Sequence, residues 1–239
     1  MVNSEINNGL KHSGKITKFS FFIIMSIIIS SVGGIIFGYD TGIIGGAIVF
    51  IGKEFQINDY MQGVIVSMSL LGAMIGALAA GPLADKYGRR VNLFISGVCF
   101  AAGAVISGVS ESIELLTAAR ILQGIGVGAS SVLVPVYIAE LAPAKIRGLL
   151  VTSFQLMITV GIVIAYGVNT AAESQGEWRF PVGIACVFGI ALAAGVLFVR
   201  ESPRWLIAVN RYADARSTLV KLRGTDDMDE EIRETERLN

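Results

Sequence analysis

Two side chains of opposite charge stand inside stretches that are otherwise apolar. Asp40 is the only charged residue in the 33-residue run from Phe19 to Ile51, within "GIIFGYDTGIIGGA". Arg120 lies in the run from Leu115 to Ala139. An ionisable side chain at the centre of a bilayer costs about 2.5–3.5 kcal/mol even on the mildest scale, so each needs a partner or water. Asp40 falls late in its run and Arg120 early in its own. If the two runs cross a membrane in opposite directions, both lie in the same half of it, at comparable depth. Pairing would then offset part of the cost of desolvation. Two readings follow: a static structural ion pair, or a carboxylate on a water-filled path that pairs reversibly with arginine, as a proton relay requires.

The elements that must position these charges are membrane spans. The chain has 239 residues, 53% of them hydrophobic, with 28 glycines and only 16% charged residues. A hydrocarbon core of about 30 Å needs a helix of about 20 apolar residues. Six stretches qualify: Phe19 to Ile51, Met61 to Ala80, Val91 to Val109, Leu115 to Ala139, Leu149 to Val168 and Phe180 to Val199. The first is longer than a straight crossing needs, and its glycines would let it curve, break or emerge early. Glycines four apart (Gly34/Gly38/Gly42/Gly46, Gly72/Gly76, Gly124/Gly128) are expected to let helix backbones approach closely in lipid.

Lysine and arginine set the orientation. Sixteen lie in the N-terminal tail, the second and fourth loops and the tail after the sixth span; only Lys53 and Arg179 lie in the opposite loops. Both termini are therefore expected in the cytoplasm. The chain divides into a tail over residues 1–18, a six-helix bundle over 19–199 and a polar segment over 200–239. That last segment, with Ser202 and Pro203 as a helix start and Gly224 as a stop, predicts two or three short amphipathic helices under the membrane.

Other chemistry is poorly represented. "RILQGIGVGAS" lies inside an apolar span and not between a strand and a soluble helix, so it does not read as a nucleotide-binding loop. Cys99 and Cys186 lie in apolar runs and read as small buried hydrophobes, and His12 sits in a polar tail. No His/Cys ligand set, no nucleophile with a base and no paired carboxylates appear. An enzyme is not expected, nor a cofactor or metal, and a net charge of zero gives no pull toward nucleic acid.

Several motifs in order resemble the sugar porter family of the major facilitator superfamily. "GYDTGIIGGA" is similar to the first-helix motif of its proton-coupled members, and "GPLADKYGRR" to the signature loop between helices two and three. "PVYIAELAPAKIRG" resembles the end of helix four, "EWRF" the start of helix six, and "RESPRWL" the motif opening the intracellular helices, although Arg200 stands where the family usually has proline. The resemblance implies an all-α integral membrane protein, with six transmembrane helices as a three-plus-three inverted repeat, the nested arrangement for which this superfamily is the standing example. Short cytoplasmic helices would follow.

By that resemblance, Asp40 and Arg120 would couple protons. Gly81, Asp85, Gly88 and Arg89 would form a cytoplasmic latch, with Glu140, Arg147, Glu201 and Arg204 in the same charge network. Gln155 matches the helix-five glutamine that contacts sugar in relatives, and its amide offers both donor and acceptor. Ile158 and Ile162 share its face, and Phe37, one turn before Asp40, would stack on the sugar ring.

The implied function is monosaccharide transport by proton symport in the cell membrane. Facilitative relatives carry Asn at the Asp40 position, so Asp40 argues for symport. A facilitative transporter half, a non-transporting sugar sensor and an inert fragment stay open as alternatives. Sugar porters have twelve helices and this chain accounts for six. The expected partners are sugar, proton, lipid, and either the missing C-terminal six-helix half or a second copy; the chain itself reads as a truncated product, an excised half or a half-size protein that pairs.

Overall fold

The computed structural model describes residues 21–142, 144–173 and 176–223. The N-terminal tail and Gly224 lie outside the described residues. All regular structure among the described residues is helical: α1 Phe21–Glu54, α2 Asp59–Tyr87, α3 Arg89–Gly108, α4 Ile113–Leu141, α5 Ala144–Glu173, α6 Arg179–Gly183, α7 Cys186–Leu197, α8 Pro203–Ala208 and α9 Tyr212–Arg223. Six segments are long and apolar enough to cross a membrane, α6 and α7 together making the sixth.

Local chemistry explains the boundaries. The side chains of Asn58 and Ser112 accept the N–H groups of Met61 and Leu115 at 3.0 and 3.2 Å, capping α2 and α4. Ser202 does the same for α8, with Pro203 in the first helical turn. Gly88 divides α2 from α3 with φ of 94°, where any Cβ would also lie 2.2 Å from a Glu201 carboxylate oxygen.

Two expectations need correction. α1 is one unbroken helix of 34 residues; Gly34, Gly38, Gly42 and Gly46 face α5 and relieve crowding there without interrupting the helix. The stretch expected to be a loop between spans two and three is mostly the last turns of α2, Pro82 included; only Gly88 departs from helix. The sixth span is a single rod with a tightened joint. Ile184 and Ala185 keep helical dihedrals, and bonds from Val187 and Phe188 to residues three back carry the chain across. The joint forms where the Tyr39 hydroxyl donates to the Pro181 carbonyl at 2.7 Å.

Helix pairing follows a rule. α1 packs chiefly on α5, α2 on α4, and α3 on α4 and on the α6–α7 rod. Exchanging the first three spans for the last three maps α1 with α5 onto α4 with α2, and α3 with the sixth span onto itself. The three-plus-three repeat is thus visible in the packing. Glycines set how close these pairs come: a Cβ on Gly38 would lie 1.9 Å from the Ile158 carbonyl oxygen, and one on Gly128 would lie 1.9 Å from that of Ala73. Such contacts are with backbone, which cannot rotate away. α8 and α9 pack on each other at the basic end of the bundle, through Leu206, Ile207, Ala215 and Trp205.

Gly128→Val is therefore expected to destabilise the bundle by about 3 kcal/mol or more, the upper range for overpacking. Gly45→Ala, where an added Cβ meets nothing within 4 Å, should leave the melting temperature unchanged. Thermal melts of both variants in one detergent check the contrast.

Candidate functional site

Asp40 sits on α1 beside the two residues that tie that helix to its neighbours, Gly38 against α5 and Tyr39 against the sixth span. Arg120 is on α4, where Gly124 and α2's Ser69 meet backbone to backbone: a Cβ on Gly124 would lie 2.1 Å from the Ser69 carbonyl oxygen. These close crossings bring three helices to one point. Arg120 donates from Nη1 to Asp40 Oδ1 at 2.8 Å and from Nη2 to Oδ2 at 3.4 Å. Ser69 Oγ donates to Oδ2 at 3.1 Å. Both charged side chains are buried, at 1% exposure for Arg120 and 8% for Asp40.

Gln123 is the group that sequence reasoning missed. One turn along α4, it accepts a second bond from Arg120 Nη1 at 3.0 Å and is itself fully buried. Its spacing of three from Arg120 was the available signal. Arg120 Nε, Gln123 Nε2 and Ser107 Oγ are buried without a hydrogen-bond partner among the described residues. The arginine therefore has an acceptor that does not depend on the charge of Asp40.

None of the residues expected to meet sugar is hydrogen-bonded to that pair. Gln155 is exposed on α5, and its side chain makes no hydrogen bond to another described residue. Ile158 and Ile162 are half-buried because their backbone supports Gly38 and Gly42, and Phe37 packs partly against the core. Around Gln155 runs a stripe the sequence reading overlooked: Thr152, Gln155, Thr159, Tyr166 and Thr170 are all exposed at helical spacing. Hydroxyls and an amide on the open face of an apolar helix suit water and polyols better than lipid.

At the basic end, Arg89 joins Asp85 at 3.1 Å and Glu140 at 3.4 Å, the latter a charge contact without hydrogen-bond geometry. Glu201 accepts the backbone N–H groups of Arg89, Arg90 and Ser202 at 2.9–3.2 Å, capping α3 across Gly88. Trp205 Nε1 donates to the Asp85 carbonyl at 2.9 Å, fastening α8 to α2. Arg147 and Arg204 make no hydrogen bond or ion pair with these groups: Arg204 is exposed to solvent on α8, and the half-buried Arg147 keeps Nε unpartnered. Gly81 is exposed, with nothing within 4 Å of a Cβ placed there.

The opposite end carries a second unforeseen cluster. Glu54 accepts Trp178 Nε1 at 2.5 Å and pairs with Arg179 at 2.7 Å, while Arg179 Nη2 donates to the Ser110 carbonyl at 2.9 Å. It ties the end of α1 to the start of α6 and to the turn before α4. Among the described residues no group of three or more His, Cys, Asp or Glu is placed to hold a metal.

A family model described as "Sugar (and other) transporter" matches residues 26–238. The chain belongs to the sugar transporter family. Among curated relatives of this sugar transporter chain, the galactose-proton symporter of Escherichia coli K12 is 40% identical over 215 residues, which cover 90% of this chain and 46% of the relative. The glucose transporter GlcP of Staphylococcus epidermidis is 41% identical over 213 residues, covering 89% and 48%. Among solved structures, the partially occluded inward-open xylose transporter XylE of E. coli superposes with a TM-score of 0.83 at 30% identity, covering 90% of this chain and 59% of that one. XylE bound to 6-bromo-6-deoxy-D-glucose, described as a major facilitator superfamily proton:xylose symporter, gives 0.84 at 28% identity. The chain spans about half the length of the curated relatives it matches. Its six spans correspond to the N-terminal half of the major facilitator fold, in a multi-pass membrane protein related to transporters and not to enzymes.

Breaking a buried ion pair strands a charge, at about 3–5 kcal/mol. Arg120→Met should lose stability in that range, whereas Arg120→Met with Asp40→Asn should recover most of it. Chemical denaturation of the four members of this cycle in detergent reads the coupling. Losses in the two single variants that simply add in the double variant would show the pair contributes little.

Proposed function

We propose that the chain forms the N-terminal half of a monosaccharide:proton symporter that works by alternating access, with Asp40 as the proton-coupling carboxylate. The observation that carries this reading is a buried carboxylate held by an arginine that also has a neutral acceptor, in a family whose relatives include sugar-proton symporters. When Asp40 takes a proton from one side, its charge on Arg120 disappears. Arg120 keeps Gln123 Oε1, so neutralisation loosens α1 from α4 without stranding the guanidinium. Loss of the proton to the other side restores the pair and resets the bundle. Only a ligand that distinguishes two states can drive a change between them, and the proton does so here through charge.

Gln155, with Thr152 and Thr159 beside it, would face the sugar across a cavity closed by a second six-helix bundle. Phe37 would supply an apolar edge for the ring, and Ile158 and Ile162 the packing that holds the glutamine's helix against α1. Support for a second bundle comes from helical glycines where an added Cβ would meet no described residue: Gly45, Gly63, Gly81, Gly148 and Gly167 lie on α1, α2 and α5, while every glycine of α3 and α4 from Gly97 to Gly128 has a neighbour within 4 Å. Small residues in membrane helices serve close contact. The partner is a C-terminal half, or a second copy, and the Asp85–Arg89–Glu140 cluster would latch against it. The membrane is the plasma membrane, with both termini on the cytoplasmic side.

Topology is tested with cysteines at Tyr60, Glu111 and Ala213 in a background lacking Cys99 and Cys186. The first two should react with an impermeant thiol reagent in intact cells and the third only after permeabilisation. Labelling at position 213 in intact cells would invert the orientation.

Coupling is tested by co-expressing the chain with the second half of a related sugar-proton symporter. The pair should accumulate galactose, glucose or xylose against a gradient and the chain alone should not. Asp40→Asn should abolish pH-driven accumulation while sugar binding persists. Accumulation that still follows the pH gradient in Asp40→Asn would place the proton site elsewhere.

A further inference from the structure

A buried hydroxyl stands unused on α3. Serine in or beside a helix ordinarily returns its hydroxyl to a carbonyl three or four residues back. Ser96, Ser110 and Ser130 do so at 2.7–2.9 Å, Ser69 donates to Asp40, and Ser202 caps α8. Ser107, at 0% exposure, has no hydrogen-bond partner for its hydroxyl among the described residues. Buried polar groups are nearly always hydrogen-bonded, so an exception asks for a reason.

Its place follows from the crossing of α3 and α4. The two helices run antiparallel, with Phe100 against Gly126 and Gly103 against Gln123; a Cβ on either glycine would lie 2.6 Å from the facing backbone nitrogen. Three residues forward on α3 match three back on α4. One more turn along α3 therefore sets Ser107 opposite Ala119, beside Arg120. Ser96, Phe100, Gly103 and Ser107 recur at intervals of four and three, so they share the face of α3 that meets α4. Side chains lean toward the N terminus of their helix, and α4 begins at the end where Ser107 lies. The Gln123 amide follows that lean, since it bonds Arg120 one turn nearer that end.

Donors and acceptors at this level match. Arg120 Nε and Gln123 Nε2 are buried donors without an acceptor among the described residues. A serine oxygen carries two lone pairs besides its own proton. One hydroxyl can thus answer both donors and still give its proton to the Gly103 carbonyl in the ordinary helical way. In the structure the guanidinium is held elsewhere, by Asp40 at 2.8 and 3.4 Å, and it keeps Gln123 Oε1 with it at 3.0 Å. Arg120 is the one charged group bonded to Asp40 among the described residues; Ser69 and Gln123 are neutral.

We infer that Ser107 is the second seat of the arginine: when Asp40 loses its charge, the Arg120–Gln123 unit closes onto the Ser107 hydroxyl, and the polar tie passes from α1–α4 to α3–α4. The inference rests on the reading of Asp40 as the proton-coupling carboxylate and gives that reading a direction. Neutralisation releases α1, together with the α5 packed on it, and draws α3 and α4 together. Restored charge reverses the exchange, because a carboxylate holds a guanidinium more strongly than a hydroxyl does. Ser107 meets neither sugar nor proton. It is a positioning residue that acts through Arg120.

The test is a cycle on the purified chain in detergent, read by chemical denaturation. Ser107→Ala should change the folding equilibrium little while Asp40 is present, because the hydroxyl is then idle. In the Asp40→Asn background the same substitution should lower that equilibrium about tenfold or more, the scale of a hydrogen bond to a charged group. Ser107→Thr keeps the hydroxyl and should remove most of that loss. A second measurement needs no double variant. The Arg120 Nε–H signal, identified in heteronuclear NMR by its disappearance in Arg120→Lys, should exchange with water more slowly in Asp40→Asn than in the unsubstituted chain. Where the double variant also folds, Ser107→Ala should abolish that slowing. An equal cost of Ser107→Ala in both backgrounds, or no slowing in Asp40→Asn, would overturn the second seat. Neither measurement follows a proton across the membrane, so either failure leaves the accumulation test of Asp40→Asn standing. A coupled cycle, with pH-driven accumulation intact in Asp40→Asn, would uphold the seat and remove the symport.

Discussion

A carboxylate and a guanidinium taken out of water together are tolerable only while they stay together, and the bundle is arranged around that constraint. Asp40 and Arg120 come from helices 80 positions apart in the chain. Neither could reach the other if α2 and α4, or α1 and α5, were held apart by ordinary side chains. The glycines at those crossings remove the spacer and set the backbones nearly in contact. Ser69 then arrives on α2 as a third party, through the same contact that seats Gly124. The chemistry at the centre is therefore a consequence of packing that contains no charge at all.

The rest of the charged residues fasten ends. Glu54, Trp178 and Arg179 close one end of the bundle, and Arg89, Glu140, Glu201 and Trp205 the other. These ties are side chain to backbone as often as charge to charge. Glu201 holds three N–H groups at a helix start, where the first turn offers unsatisfied donors and a favourable dipole. Fastened in this way at both ends, the six spans form one packed unit. The faces left unpacked, with the open glycines of α1, α2 and α5, are where the proposed second bundle would meet this one.

The spans and the lone charges were legible because hydrocarbon imposes a hard rule on length and charge. The rule says where a helix must be apolar and nothing about where it stops. So Met61 to Ala80 was readable, while the extension of α2 through Pro82 to Tyr87 was not: water and lipid both tolerate helix there, and only the positive φ of Gly88 ends it. The joint between α6 and α7 depends on a hydroxyl donated by Tyr39, 142 positions away, which no local pattern carries. Arg147 and Arg204 were grouped with the basic-end cluster by the resemblance, and exposure to water let Arg204 stand apart. The polar stripe around Gln155 was present as a three-and-four spacing of Thr and Tyr residues, hidden by the apolar residues between them. Gln123 was hidden by the glycine run that contains it.

The repeat makes the placement of the charges informative. Gly34 and Gly38 stand ninety residues before Gly124 and Gly128, and they do the same work at the two equivalent crossings. Carried through that offset, Asp40 corresponds to Ser130, and Arg120 to Ser30. Each charge thus has a serine as its counterpart in the other repeat. Had the ion pair served only to hold α1 against α4, the symmetric scaffold would offer two equivalent places for it and no reason to prefer one. Its confinement to one side of the repeat axis, with Gln123 as the arginine's second acceptor there, breaks the symmetry in chemistry while leaving it intact in packing. An off-centre charge is what a protein needs if the groups on its two sides are to meet that charge in different states, because a pair on the axis would present the same surroundings to both. The scaffold supplies two interchangeable halves, and the charges make them unequal.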